Sequence, residues 1–428
     1  GRELAHAISQ DLDLVRILQR ASEGWDGGYL FGGILGNGDL FVCRDPAGIR
    51  PGFWIETDDA IAIASERPPL STVFNLSPEE VHPIPPGHVL VVKRNGQIIV
   101  DRFTDPLPER QCAFERIYFS RGNDPDIYRE RKKLGCNLAR RVLDMIDWKV
   151  GSAVFSFVPN TAETAYLGLV QEAQRLVRRK QVDQVWEHVQ EGTAQREELE
   201  SLQMDLVRSE RVAHKDQKLR IFITHDDARR DLVTHIYDIV RDIVTPEDTL
   251  VMIDDSIVRG TTLRESIITI LGRLNPKRII IVSSAPPICY PDCYGIDMSH
   301  LNRFVAFQAA VALLEEVGES SMLGEIEADC AAQVDLPPNQ MKNHVARLYQ
   351  RFSQQELEDK IAELVRPDDS SWEGRLDVVY QDLDGLKDAL PGYDGHWYFD
   401  GDYPTPGGLK VLNTAYLNWR RGVDARAY

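Results

Sequence analysis

The sequence predicts an α/β protein: a parallel sheet with helices on both faces, preceded by a smaller, mainly β piece. Three observations carry this. Past residue 249 the apolar pattern alternates at β-α-β spacing. Leu250-Val251-Met252-Ile253 reads as a buried strand, and Ile267, Ile268, Ile270, Leu271 and Leu274 as one face of a helix ended by Asn275-Pro276. Ile279-Ile280-Ile281-Val282 reads as the next buried strand. The first hundred residues instead show short apolar runs between Gly and Pro turns. Finally, the strand ending at Ile253 delivers adjacent carboxylates, Asp254 and Asp255, to the edge where ligands of open α/β sheets bind.

In the first piece the expected strands are Gly28 to Leu35, Leu40 to Cys43, Ala60 to Ala64 and His88 to Val92. Gly36-Asn37-Gly38 and Pro85-Pro86-Gly87 supply turns between them. A helix carrying Cys136, Leu138, Ala139, Val142, Leu143 and Ile146 then leads into a strand from Ala153 to Val158. That strand ends in Pro159-Asn160-Thr161-Ala162-Glu163-Thr164-Ala165, where Thr161 reads equally as a helix cap or as a hydroxyl for a ligand. From about 170 to 212 the chain is charged, with Val182, Val185, Trp186 and Val189 at helical spacing. This suits a surface helical hairpin or an oligomer contact. Leu232, Val233, Ile236, Ile239, Val240, Ile243 and Val244 predict a further helix, broken by Thr245-Pro246-Glu247-Asp248 before the Asp254 strand. From about Glu315 the chain is acidic and then aromatic.

The segment Asp254-Asp255-Ser256-Ile257-Val258-Arg259-Gly260-Thr261-Thr262 is the most informative of the chain. Its second half supplies backbone N–H groups and hydroxyls at the start of a helix, a natural seat for phosphate. Two carboxylates beside such a seat suit a phosphorylated sugar: the acids take ribose hydroxyls directly or through Mg²⁺, and the turn takes the 5′-phosphate. For the paired acids alone, capping of the following helix is an equal reading.

Composition bounds the function. A chain of 428 residues is long enough for two or three domains, and its 43% apolar content is ordinary for a globular protein. A formal charge of −18 disfavours nucleic acid and anionic membranes as partners. Six cysteines without paired spacing fit reduced thiols and a cytoplasmic setting. Neither a membrane-length apolar run nor a signal peptide is evident.

Val251 to Thr262 resembles the phosphoribosylpyrophosphate (PRPP) signature of type I phosphoribosyltransferases. Its Ser-Ile-Val-Arg-Gly-Thr-Thr version is similar to that of the glutamine PRPP amidotransferase family, the amidophosphoribosyltransferases. Further similar segments lie in collinear order: Arg44-Asp45-Pro46-Ala47-Gly48-Ile49-Arg50-Pro51, Ala64-Ser65-Glu66-Arg67, Cys112 to Arg121, Ser283-Ser284-Ala285-Pro286-Pro287, Tyr294 to Met298 and Gly395 to Thr405. The resemblance implies residues 1–104 as the C-terminal half of an N-terminal-nucleophile glutaminase sandwich, with exposed sheet edges. It implies 105–315 as the phosphoribosyltransferase domain, with a helical insertion at about 170–212, and 316–428 as a helical and aromatic extension.

It also implies roles. Asp254, Asp255, Ser256, Arg259, Gly260, Thr261 and Thr262 bind PRPP, and Thr161, Asp254 and Asp255 hold Mg²⁺. Thr161 lies in the counterpart of the pyrophosphate loop, where Asn160 departs from the family's acidic residue. Lys215 and Arg220, in a stretch similar to the family's mobile loop, aid catalysis beside Asp254 and Asp255; a solvated basic surface is the alternative. The implied reaction makes 5-phosphoribosylamine and pyrophosphate from PRPP and glutamine-derived ammonia, in the first step of purine synthesis. Purine nucleotides are the implied inhibitors and a homo-oligomer the implied assembly. The family's nucleophile is an N-terminal cysteine, whereas Gly1 opens this sequence and the first cysteine, Cys43, lies in a strand, so no glutaminase nucleophile is assigned and glutamine hydrolysis is not expected of this stretch. Gly395 and Tyr398 stand where many members carry a Cys-x-x-Cys pair, Cys112 matches a third cluster-ligand position and Cys293 lies one place off a fourth, so no iron–sulfur cluster is expected. His396, among aromatic residues, reads as a packed histidine. A non-catalytic PRPP-binding regulator and a nucleobase phosphoribosyltransferase are the other readings.

Overall fold

Short apolar runs between turns give the first hundred residues two antiparallel sheets. Their strands are β1 (Leu30–Ile34), β2 (Leu40–Arg44), β3 (Phe53–Glu56), β4 (Ile61–Ala64), β5 (His82–Pro83), β6 (His88–Val92) and β7 (Ile98–Arg102). The four-stranded sheet runs β1-β2-β6-β7 and the three-stranded one β4-β3-β5. All four strands expected here are present; β3, β5 and β7 were not expected. Helix α1 (Leu14–Ala21) lays Leu14 and Leu18 on Cys43, Val89, Val91 and Phe103. Strand β1, at the edge of its sheet, leaves Phe31 and Ile34 exposed, Ile34 at 76%. The computed structural model describes residues 12–193, 195–197, 206–215, 237–296, 298–367 and 371–427.

Arg67, at the start of α2 (Arg67–Phe74), ties this piece to the parallel-sheet domain. Its guanidinium meets Asp124 through two bonds, of 2.8 and 2.6 Å, and Asp126 through a third of 2.5 Å. Asp124 in turn caps α3 (Pro125–Met145), accepting from the Asp126 and Ile127 N–H groups. Its partner α4 (Glu163–Glu191) crosses it backbone to backbone. A Cβ added at Gly135 would lie 1.8 Å from the Ala165 carbonyl oxygen, and one at Gly168 1.8 Å from that of Lys132.

The parallel sheet contains β8 (Ala153–Phe157), the short β9 (Arg208–Ser209), β12 (Thr249–Asp254), β13 (Arg278–Ser283) and β14 (Arg375–Tyr380), in the order β14-β13-β12-β8-β9. Between β9 and β12 in the chain, β10 (Ala213–Lys215) and β11 (Tyr237–Ile239) form a separate antiparallel pair. Alternate residues face opposite layers. Leu250, Met252, Ile279 and Ile281 meet Leu263, Ile267 and Leu271 on one side, while Val251, Ile253, Ile280 and Val282 meet α3 and α4 through Leu138, Val142, Leu169 and Ala173 on the other. Each fully buried Ile, Leu or Val contributes about 1.5–3 kcal/mol, so this two-sided burial fixes the strand register. The edge strand β14 comes from beyond residue 316.

One expectation fails. The helix predicted over Leu232 to Val244 is not formed where the chain is described: Tyr237–Ile239 is β11, in register with Ala213–Lys215. The Val240 N–H extends the pairing to the Val212 carbonyl at 2.9 Å. β-Branched Ile239 and Val240 suit a strand, and a waiting partner outweighs weak helical periodicity. Leu232, Val233 and Ile236 lie outside the described residues.

Candidate functional site

Strand order locates the site. From β8 the chain goes outward to β9, then returns to place β12 on the other side of β8. The sheet therefore has its switch point between β8 and β12, and a crevice opens beyond their C-terminal ends. The loop after β8 brings Thr161 into this crevice and the loop after β12 brings Asp254 and Asp255. The Thr161 hydroxyl lies beside the Asp255 carboxylate, near enough to favour its charged form. Thr161 does not cap α4, whose N-cap is Ala162 with no side-chain cap bond. Nor does either aspartate cap the helix after β12, where Arg259 holds the N-cap position, again without a side-chain cap bond.

The acidic pair is held rigidly. The Asp254 carbonyl accepts from the Ser284 N–H at 2.9 Å, and its carboxylate accepts from the Asp255 N–H at 2.9 Å. The Asp255 carboxylate accepts from the Ser256 hydroxyl at 3.0 Å, and its carbonyl from the Ser284 hydroxyl at 3.1 Å. Asp254 is half-buried and Asp255 only 8% exposed. Burial, then the charge of Asp255, drives the Asp254 carboxyl well above the usual carboxylate range. Burial pushes Asp255 up to about 6, against the pull of Ser256, the Arg131 charge and Thr161. Two acids so raised, side by side in a crevice, are what makes this the candidate site.

Beyond Asp255 the chain passes through Ser256-Ile257-Val258, in neither helix nor strand, and enters α5, residues 260–272, made of Gly260–Thr262, a wider-wound stretch Leu263–Ile268, and Thr269–Gly272. Its first N–H groups have no partner inside the helix. The Val258 carbonyl accepts from the Val305 N–H at 3.1 Å, fixing the entry to α5 against α6 (Val305–Glu316). Gly260 suits this approach: a Cβ there would lie 3.0 Å from Val305 Cγ2 and 3.1 Å from Val365 Cγ1, a tight fit against two side-chain methyls. Thr261 is exposed, and the Thr262 side chain lies outside the described residues.

The structure adds Arg131, Tyr118, Ser284 and Tyr380 to this constellation. Arg131, 6% exposed on α3, donates to the carbonyls of Arg116 (3.0 Å) and Ser120 (2.7 Å), and its charge faces Asp255. It thereby pins a wide helical turn, Glu115–Phe119, whose Tyr118 lies close enough to both aspartates for their charges, after burial, to raise its hydroxyl. Tyr380 lies in register with Ser283, and Ser283 with Asp254, so the three share one row of the sheet. The Tyr380 hydroxyl is buried without a partner among the described residues. Arg131 was findable: it shares the apolar stripe of Ile127, Leu134 and Leu138, where a charge is out of place. Tyr380 carried no such signal.

Other expected site residues fare differently. Lys215 closes β10, half-buried, with no ion pair to a described residue. Arg220 lies outside the described residues. Cys112 bridges to Gly395 through the backbone, and the Phe114 ring packs 5.4 Å from Tyr398. The Tyr398 hydroxyl donates to Asp292 at 2.6 Å, so side-chain packing fills these positions. His396 is 3% exposed beside Trp397, and burial lowers its pKa, as suits a packed neutral imidazole. Among the described residues no group of three or more His, Cys, Asp or Glu side chains is arranged to hold a metal ion.

No family model matches the chain. It is 26% identical over 293 residues to an amidophosphoribosyltransferase of Rhizobium etli, covering 66% of this chain and 51% of that protein. To the amidophosphoribosyltransferase of Bacillus subtilis it is 28% identical over 290 residues, covering 66% and 52%. To one from Archaeoglobus fulgidus it is 25% identical over 327 residues, covering 74% and 60%. The chain spans about half the length of the first two of these curated relatives. Among solved structures it is similar to glutamine PRPP amidotransferase from B. subtilis complexed with ADP and GMP, with a TM-score of 0.58, 22% identity, and coverage of 94% of this chain and 70% of that one. The resemblance read from the sequence therefore holds, and the α/β fold with its antiparallel front piece is shared with that structure.

Proposed function

We propose that this chain carries the phosphoribosyl-transfer site of an amidophosphoribosyltransferase, an enzyme that makes 5-phosphoribosylamine and pyrophosphate from PRPP and ammonia. The observation that carries the reading is the pairing of Asp254 and Asp255 with the start of α5 at the switch point of the sheet, in a chain whose curated relatives bear that enzyme's name.

Asp254 and Asp255 take the ribose hydroxyls, and the backbone of Arg259, Gly260, Thr261 and Thr262 seats the 5′-phosphate with the help of Ser256. Burial and mutual repulsion hold back the charged forms of the two carboxyls, so a cation shared with the substrate suits them. Mg²⁺ characteristically binds one or two carboxylates plus substrate phosphates, which this pair and the Thr161 hydroxyl fit. Bound there, Mg²⁺ would neutralise charge on the departing pyrophosphate. The carboxylates stabilise positive charge developing on the sugar ring as the anomeric bond opens, and the crevice holds ammonia against that carbon. Lys215 and Arg220 would add cationic charge at the pyrophosphate side.

Six unpaired thiols support a cytoplasmic setting, and no described helix is long and apolar enough to cross a membrane. ADP and GMP in the solved relative support purine nucleotides as inhibitors. We assign no iron–sulfur cluster, since Gly395 and Tyr398 replace two thiolates.

The test is to incubate the chain with PRPP and Mg²⁺ and supply ammonium, glutamine or purine bases in turn, following pyrophosphate. Release with ammonium, lost in Asp254→Asn and Asp255→Asn, supports the proposal. Release only with a base would make the chain a nucleobase transferase, and binding without turnover would make it a regulator.

A further inference from the structure

The front piece reaches the crevice through one arginine. Its loop between β2 and β3 is fixed on itself: the buried Asp45 carboxylate accepts from the N–H groups of Ile49 at 2.9 Å and Arg50 at 3.1 Å. The chain from Leu107 to Cys112 runs along this loop. Leu107 donates its N–H to the Pro46 carbonyl at 2.8 Å, Arg110 to Ala47 at 2.7 Å and Cys112 to Ile49 at 3.4 Å. Arg50 makes the next tie with its side chain. Its Nη1 donates to Glu115 Oε2 at 2.7 Å, and its Nη2 to the Tyr294 carbonyl. The two ion-paired side chains are 19% and 17% exposed, so this contact is less screened and less free to swing than a surface pair.

Glu115 opens the wide turn Glu115–Phe119, which the Ser120 N–H closes onto the Glu115 carbonyl at 2.8 Å. Tyr118 of this turn stacks on Phe114, with ring centroids 5.9 Å apart and planes 14° apart, and stands beside Asp254 and Asp255. The turn thus hangs between two arginines, Arg131 of the parallel-sheet domain and Arg50 of the front piece. The front piece has a second grip on this segment, from Glu66 to Arg121 at 3.1 Å. That arginine is 65% exposed, and such a pair holds little. The start of the turn depends on Arg50.

On the reading of this crevice as the transfer site, we propose that Arg50 is a positioning residue: from the front piece it fixes Glu115, and through the turn it sets Tyr118 against the two aspartates. The front piece then serves the transfer step itself, with no glutamine hydrolysis involved. Its effect on the reaction passes through Glu115.

The test uses the full chain, as Arg50→Gln, Glu115→Gln and the two together. Each single variant should raise KM for PRPP in the ammonium-dependent assay by about 5–50-fold, the worth of a charge-assisted hydrogen bond, and the double variant should match the singles to within about threefold. A smaller folded fraction would lower kcat and leave KM unchanged. Hydrogen–deuterium exchange should quicken about tenfold over residues 115–120 and stay at the parent rate over β12 and β13. Asp26→Ala cuts a different tie of the front piece, to the Gly407 N–H at 2.8 Å, and should change neither readout. If Arg50→Gln does not fold, Arg50→Lys, which keeps the charge but lacks the two-pronged reach, takes its place. Unchanged exchange over the turn, or single effects that multiply in the double variant, would overturn the proposal. A parent chain that releases no pyrophosphate refutes the transfer reading instead, and the exchange measurement alone then decides the role of Arg50.

Discussion

The Thr161 hydroxyl reaches the carboxylate of Asp255 across the crevice between β8 and β12. A hydroxyl beside the charged form is one of the influences keeping Asp255 ionisable despite its burial. Thr161→Val removes that hydroxyl while keeping the shape. It should raise the Asp255 pKa further and lower kcat/KM for ammonium-dependent pyrophosphate release by about 10–100-fold, the worth of a charged hydrogen bond. Thr161→Ser should stay within about threefold of the parent. Equal rates for the Val and parent proteins would remove Thr161 from the site.

Asp255 itself gives a pH signature. Its folded pKa of about 6 lies above the ordinary 3.8. The folded state therefore holds the proton more tightly than the unfolded one. The resulting stability is fully present below about pH 4, falls as pH rises, and is gone above about pH 6. Asp255→Asn lacks this dependence. Urea titrations at successive pH values should show the variant gaining on the parent by up to about 3 kcal/mol between pH 4 and pH 7. The stability difference should thus move in the variant's favour towards neutral pH, where the variant should also be inactive. A difference that does not vary with pH would mean that Asp255 ionises like an exposed acid.

Arg131 supports the site from below by gripping the Arg116 and Ser120 carbonyls. Arg131→Met leaves both carbonyls without that donor and removes the cation facing Asp255. The expected loss is about 3 kcal/mol in a denaturant titration. Arg131→Lys keeps the charge but lacks the planar fork, so it should recover the Asp255 titration more fully than the stability. Equal recovery of both would show that charge alone matters.

Residues whose jobs are local were legible in the sequence. The apolar strands Leu250 to Ile253 and Ile279 to Val282, the α5 helix ended by Asn275-Pro276, and the acidic pair at a strand end all come from periodicity and turn chemistry. The structure places them as read. What was missed depends on partners distant in the chain. β11 took a strand conformation because β10 was there to pair with it. β14 gave no warning that it would become the edge of the main sheet, and Tyr380 reaches the row of Asp254 only through that pairing. Arg131 lay between: its place on an apolar stripe was visible, but the carbonyls it serves were not.

Two glycines on helices should respond to alanine with opposite signs. At Gly135 a Cβ would lie 1.8 Å from the Ala165 carbonyl oxygen and 2.8 Å from the Leu169 nitrogen, both backbone atoms that cannot turn aside. Gly135→Ala must therefore push α4 away from α3, opening the packing of Leu138, Val142, Leu169 and Ala173 against the sheet. The expected cost is about 3 kcal/mol or more. Because α4 starts directly after the Thr161 loop, ammonium-dependent activity should fall with it. Gly324 lies exposed on the helix Ser321–Ala332, and a Cβ there meets nothing within 4 Å. Alanine at that position reduces the freedom of the unfolded chain without a clash, so Gly324→Ala should stabilise the protein by about 0.5–1 kcal/mol. Thermal or urea unfolding of the two variants side by side decides it. A Gly135→Ala protein as stable as its parent would show that α3 and α4 do not cross with their backbones in contact.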